Sequence, residues 1–95
     1  MKIIYHPLFK EELREIVKYI AKDKKSASIN FNNNLKLQIK EIPHSPLKYA
    51  KSEYFVDPNV RDMTYMGHTI IYEINFESNS IEILRIFNRN KLSST

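Results

Sequence analysis

The chain has 95 residues, the size of one small domain, so we expect residues 1–95 to fold as a single domain around one core. It contains no cysteine, which excludes thiolate metal sites, disulfides and a cysteine nucleophile, and its one glycine, Gly67, excludes the glycine-rich loops that bind nucleotide phosphates. The net charge of +4 favours an anionic partner, which is to say nucleic acid, an acidic protein segment or a membrane surface.

The basic residues are concentrated in the first half of the chain. Residues 1–50 carry ten Lys and Arg against five Asp and Glu, whereas residues 51–95 carry five against six. The second half nevertheless ends in a basic run formed by Arg85, Arg89 and Lys91. The N-terminus lacks the apolar segment of a signal peptide, and no apolar run approaches the roughly 20 residues that span a bilayer. We therefore expect a globular cytoplasmic protein with no membrane contact.

The first half of the sequence predicts a short strand and two helices. Residues 2–5 are rich in β-branched and aromatic side chains, which favours a strand. Pro7 suits the first position of a helix, and apolar residues at helical spacing extend that helix to about Asp23. After a short connector, Ser26 is expected to cap a second helix that runs to about Ile42. Two amphipathic helices joined by so short a connector must form an antiparallel hairpin.

The second half predicts strands. Residues 43–58 are irregular in pattern, with one short strand expected at residues 53–56. Three strands follow, joined by turns at Gly67-His68 and at residues 78–80: Val60–Met66, Thr69–Phe76 and Ile81–Asn88. Four apolar residues of the middle strand share one face: Ile70, Tyr72, Ile74 and Phe76. The predicted fold is α+β, in the order β-α-α-β-β-β, with a helical hairpin packed on a small, mainly antiparallel sheet.

Several blocks of sequence together carry a family resemblance. The first helix reads ELREIVKYIA at residues 12–21, and the strands contain NVRDM at 59–63, YMGHTIIYEI at 65–74 and IEILRIF at 81–87. In this order and spacing the chain resembles the RelE/ParE superfamily, which comprises the toxin halves of bacterial type II toxin–antitoxin modules. It is closer to the ParE side.

The resemblance implies a bacterial toxin, of a kind associated with plasmid stabilisation, that a cognate antitoxin neutralises by wrapping its C-terminal segment around it. The basic hairpin and the basic C-terminal run would suit an acidic wrapping segment, an inference from charge alone. Contact with DNA would then be made mainly by the antitoxin. ParE-like members inhibit DNA gyrase, whereas RelE-like members are ribosome-dependent endonucleases that cut mRNA. A non-toxic family member that only binds protein is a third possibility.

A metal-free ribonuclease needs a base for the 2′-OH, positive charge for the phosphorane and an acid for the leaving oxygen. Three arginines are candidates for the charge: Arg61, Arg85 and Arg89. Residues that could act as the general acid and the general base are harder to find. Asn88 occupies the position where related enzymes often have a histidine, and the C-terminal tail has neither tyrosine nor histidine. His68 and Glu53 remain as candidates. This incomplete set favours a ParE-like gyrase inhibitor over an enzyme.

Each candidate also has a purely structural interpretation. Arg85 is equally suited to an ion pair with a carboxylate such as Asp62 or Glu73, and Asp62 favours the same interpretation for its neighbour Arg61. His68 is interpreted first as an ordinary turn residue. The predicted partner-binding residues are Arg61, Arg85, Asn88, Arg89 and Lys91. No histidine spacing indicates a metal, and we expect neither a metal nor a cofactor.

Overall fold

The structure, a computed structural model, describes residues 1–89. Its elements in chain order are β1 (Lys2–Tyr5), α1 (Pro7–Asp23), α2 (Lys25–Glu41), a 3-10 turn (Ile42–His44), β2 (Ala50–Lys51), β3 (Val60–Tyr65), β4 (His68–Asn75) and β5 (Ser80–Asn88). The five strands form one sheet in the order β1-β5-β4-β3-β2. Strand β1 is parallel to β5 and every other neighbouring pair is antiparallel, so the predicted α+β fold is confirmed.

The helical hairpin is tighter than predicted. Helix α1 begins at Pro7, and His6 caps it by accepting the N–H of Leu8 on Nδ1 at 3.0 Å. Lys24 is the only residue between the helices, and its backbone is extended. Its N–H closes α1, while its carbonyl accepts the first backbone bonds of α2. The prediction that Ser26 caps α2 is therefore wrong, because the chain has already entered the helix at that residue.

The predicted strand at residues 53–56 is also wrong. The short strand β2 lies earlier, at Ala50–Lys51, and pairs with β3. At Glu53 the backbone N–H donates to a side chain, Asp62 Oδ2, at 2.9 Å instead of to a neighbouring strand. The turn between β3 and β4 is centred on Met66 and Gly67, both with positive φ, and His68 already belongs to β4.

The core lies between the helical hairpin and one face of the sheet. Its buried members are Phe9, Leu13, Phe31, Leu35, Ile39, Ile42, Met63, Tyr65, Ile70, Tyr72, Ile74, Ile81, Ile83 and Ile86. Tyr65 and Tyr72 are buried core tyrosines, of which the sequence analysis placed Tyr72 on the apolar face of its strand. Tyr72 donates its hydroxyl to the carbonyl of Pro46 at 2.6 Å. Phe76 was expected on the same face, but it is 55 % exposed because β4 ends at Asn75.

Neither helix within residues 1–89 has both the length and the apolar character needed to cross a membrane.

Candidate functional site

Arg85, the arginine of the last strand, is held by a carboxylate from the first helix. Its Nε donates to Glu12 Oε1 and Oε2 at 3.0 Å, and Nη2 donates to Oε2 at 2.7 Å. The Glu12 side chain is only 20 % exposed, and that of Arg85 is 41 % exposed. The hydrogen bonds that Arg85 donates to Glu12 raise the pKa of the guanidinium above its usual value, which favours its charged form.

Glu12 also binds the backbone of β5. Strand β1 pairs with β5 only as far as the contact between Tyr5 and Ile83, and the chain then leaves the sheet to begin α1. Beyond that point Glu12 Oε1 accepts the N–H of Ile86 at 3.1 Å, in the place where a longer β1 would have supplied a carbonyl. One carboxylate thus pairs the arginine and covers the exposed edge of β5.

The partner of Arg85 differs from the one predicted. Asp62 and Glu73 were the expected carboxylates, and the structure places neither on the guanidinium. Glu12 was not singled out from the sequence, because it lies 73 positions away and belongs to another element. A signal was present, since Phe9, Leu13 and Ile16 form the apolar stripe of α1 and Glu12 lies at the i+3 position from Phe9, on the same face.

Arg61 has a structural environment of its own. Its Nε donates to the carbonyl of Pro58 at 3.0 Å, and its Nη1 donates to the carbonyls of Tyr49 and Leu47 at 3.0 and 3.4 Å. Arg61 therefore ties the irregular segment before β3 to the sheet. The neighbouring Asp62 does not pair with it: Asp62 Oδ2 accepts the N–H of Glu53, and Oδ1 is buried without a hydrogen-bond partner in the described part of the chain.

The two sheet arginines are not brought together. Arg61 is opposite Tyr72 on the face that carries the core. Arg85 is opposite Ile71, which is opposite Asp62, so Arg85 belongs to the other face. A single phosphate cannot lie between side chains that leave opposite faces of a sheet. Arg61 and Arg85 therefore cannot contact the same phosphate.

His68 and Asn88 do lie together, opposite each other at one end of the β4–β5 ladder. Both line a groove of about 500 Å³ beside α1, which Glu15, Lys18 and Tyr19 border. His68 Nδ1 is 3.0 Å from the carbonyl of Met66, and its ring packs edge-on against Phe31. His68 was interpreted from the sequence as an ordinary turn residue, and the structure places it one step further on, as the first residue of β4, packed on Phe31.

Of the remaining candidates, Arg89 directly follows this pair, whereas Glu53 lies elsewhere. Arg89 is exposed, and its backbone N–H donates to the carbonyl of Gly67 at 3.1 Å. Glu53 is exposed on the loop before β3. Lys91 lies outside the described residues. Within residues 1–89 no group of three or more His, Asp or Glu side chains is arranged to hold a metal ion.

A second feature is a basic groove between the two helices, which we call the hairpin groove. It has a volume of about 340 Å³ and an apolar floor that includes Phe9 and Leu13. Four basic residues and no acidic residue line it: Lys10, Arg14, Lys18 and Lys36. Three of them recur every fourth residue along α1, a spacing that places them on one face and that would have revealed the groove from the sequence.

Three solved structures that share this fold come from toxin–antitoxin systems. A chromosomal ParDE system from P. aeruginosa matches with a TM-score of 0.73 at 18 % identity, covering 93 % of this chain and 95 % of the other. The intact E. coli RelBE complex matches with a TM-score of 0.65 at 13 % identity, covering 92 % and 94 %. A mutant E. coli RelE bound to an antitoxin peptide matches with a TM-score of 0.67 at 14 % identity, covering 98 % and 90 %.

These likenesses define the class by its fold: small α+β proteins of the RelE/ParE type. The sequence then gives the family. The model for the ParE toxin of type II toxin–antitoxin systems, parDE, matches residues 3–92, and the chain belongs to this family. No curated protein sequence matches the chain.

Proposed function

We propose that this chain is a ParE-like toxin that inhibits DNA gyrase and is held inactive by a cognate antitoxin. The observation that carries the proposal is that both sheet arginines are committed to structural contacts on opposite faces, Arg85 with Glu12 and Arg61 with backbone carbonyls. A metal-free ribonuclease needs such residues free and convergent. A toxin that acts by binding a protein needs no such centre, and membership of the ParE family agrees with it.

The hairpin groove supports an antitoxin as the partner. Its apolar floor suits the apolar side chains of a bound segment, and Lys10, Arg14, Lys18 and Lys36 suit acidic residues beside them. The solved neighbours are complexes with antitoxins, which is the same kind of assembly. The proposal leaves contact with operator DNA mainly to the antitoxin, and it includes a cytoplasmic location because gyrase acts there.

The direct test adds purified toxin to DNA gyrase and relaxed plasmid. Supercoiling should be blocked or cleaved DNA should accumulate, and addition of the antitoxin should restore supercoiling. Unimpaired supercoiling at excess toxin would refute gyrase as the target. A short adjacent reading frame that encodes a DNA-binding antitoxin is expected in the genome.

Antitoxin binding has a matched test on the chain itself. The double substitution Arg14→Glu/Lys18→Glu reverses two charges in the hairpin groove, whereas Lys25→Glu/Lys40→Glu reverses two exposed charges that do not line it. The first variant should bind the antitoxin at least about tenfold more weakly, with a loss of salt dependence, and the second should bind almost normally. Equal losses would show that only the total charge matters.

A ribosome-dependent mRNA endonuclease is the second candidate, favoured by one observation. His68 and Asn88 meet at the end of β4 and β5, and the exposed Arg89 follows directly. If this end were catalytic, toxin added to a translating extract would leave mRNA cut at the ribosomal A site. Intact message in an extract whose translation has stopped would exclude it. A chain that affects neither gyrase nor translation would be a non-toxic protein-binding member of the family.

A further inference from the structure

The loop between β2 and β3 displays three consecutive apolar side chains. Tyr54 and Phe55 are 49 % and 46 % exposed, and Val56 is fully exposed. We call residues 54–56 the apolar tip. Consecutive exposed apolar residues contribute little to a core and promote aggregation, so their presence at a surface indicates binding.

The loop that carries the apolar tip is fixed by hydrogen bonds. The N–H of Ser52 donates to the carbonyl of Val60 at 2.9 Å, and the N–H of Val60 donates to the carbonyl of Asp57 at 3.0 Å. The N–H of Glu53 donates to Asp62 Oδ2 at 2.9 Å. Because the backbone is already ordered, a partner that binds the tip loses little conformational entropy in fixing it.

The tip lies on the face of the sheet that the helices leave uncovered. Tyr54 packs edge-on against Phe87, with ring centroids 5.3 Å apart. Phe87 is opposite Thr69, next to the core pair of Ile70 and Ile86, and therefore points away from the helices. The apolar tip and the hairpin groove are thus separate surfaces.

Their charges also differ. Glu53 and Asp57 flank the tip, and residues 52–58 contain no basic residue, although the chain as a whole carries +4. Two carboxylates repel nucleic-acid phosphates and repel an acidic antitoxin segment. They attract a protein surface on which basic side chains border an apolar pocket.

We propose that the apolar tip is the surface by which the toxin contacts its target, and that the target presents an apolar pocket with a basic rim. The inference rests on the proposed function, since it assigns the target and the antitoxin to different surfaces. Phe55 and Val56 would enter the pocket, and Glu53 and Asp57 would meet the rim.

The test compares Val56→Asp with Phe76→Asp, which places the same charge at another exposed apolar residue, in the turn after β4. Val56 is fully exposed, so Val56→Asp should melt like the wild type, and both variants are compared as folded protein. Binding to purified DNA gyrase should weaken about thirtyfold or more for Val56→Asp, the size of a hot-spot loss, and hardly change for Phe76→Asp. Antitoxin binding should be unchanged in both.

A second variant tests the charges. Glu53→Gln/Asp57→Asn removes two negative charges and leaves an oxygen at residue 57 to accept the N–H of Asn59, which Asp57 Oδ1 now accepts at 2.8 Å. Gyrase binding should fall about threefold and become less dependent on salt. Unchanged affinity and unchanged salt dependence would overturn the basic rim.

The outcomes separate this inference from the proposed function. If the wild type and Val56→Asp bind gyrase equally well, the proposed role of the apolar tip is refuted and the proposed function is retained. Wild-type toxin that arrests growth without binding gyrase refutes that target. In that case loss of growth arrest in Val56→Asp but not in Phe76→Asp supports the tip for another protein, and retained arrest overturns it. A wild-type chain that neither arrests growth nor binds gyrase overturns both.

Discussion

Replacement of Glu12 by alanine should destabilise the fold more than replacement of Arg85, its partner. Glu12→Ala removes the ion pair and also leaves the N–H of Ile86 without its acceptor. An unsatisfied, partly buried backbone N–H costs about 1–3 kcal/mol, and a partly exposed ion pair contributes about 0.5–1 kcal/mol. We therefore expect a loss of about 2 kcal/mol, or about 10 °C in Tm for a domain of this size. Arg85→Ala keeps the acceptor and should cost about 1 kcal/mol.

Urea titration of the two single variants and the double variant measures these losses and gives the coupling between the residues. Glu11→Ala is the matched control, because Glu11 is the exposed neighbour on the same helix and should change stability by less than about 0.5 kcal/mol. A Glu12→Ala loss equal to or smaller than that of Arg85→Ala would refute the second role of Glu12. The same variants address toxicity: an Arg85→Ala protein that is folded but non-toxic, beside a toxic Glu12→Ala protein, would give Arg85 a direct function.

Two further predictions concern the segment before β3. Tyr72→Phe should cost about 1 kcal/mol at neutral pH, because it removes the hydrogen bond to Pro46. Burial raises the pKa of Tyr72, so above about pH 10 the unfolded chain releases the phenol proton while the folded chain keeps it. The free energy of unfolding of the wild type should therefore fall as the pH rises above about 10, and that of Tyr72→Phe should fall less steeply. Thermal melts across this pH range measure the difference. Arg61→Ala should cost about 2 kcal/mol and speed proteolysis within residues 45–58, whereas unchanged cleavage would contradict its role as an anchor.

Local patterns were sufficient for much of the fold. The apolar stripes predicted both helices, because a helix that packs on one side must repeat its apolar residues every three or four positions. The alternation of Ile70, Tyr72 and Ile74 predicted the central strand in the same way. The strand predicted at residues 53–56 is wrong because, although its apolar residues satisfy a strand pattern, the N–H groups of Glu53 and Tyr54 donate to side-chain oxygens of Asp62 and Ser52 and the backbone forms a loop.

The contacts of the candidate site were harder to predict from the sequence, because they join elements that lie far apart along the chain. The partner of Arg85 depends on where β1 stops pairing with β5. Because β1 ends opposite Ile83, the next part of the β5 edge is bound by Glu12 of α1 and not by a strand. The contacts of Arg61 are to carbonyls of an irregular segment, which no side-chain pattern reports. By contrast, the repeat of Lys10, Arg14 and Lys18 is local and places three basic residues on one face of α1.

The separation of the two proposed binding surfaces constrains how neutralisation would work. An acidic segment confined to the hairpin groove would lie on the helix layer, whereas the apolar tip projects from the opposite face of the sheet. Such a segment does not by itself cover residues 54–56, and their flanking carboxylates would repel its continuation. An antitoxin that blocks target binding must therefore hinder the target by its bulk around the sheet edge, or must shift the loop by disturbing Arg61, the residue that ties this segment to β3.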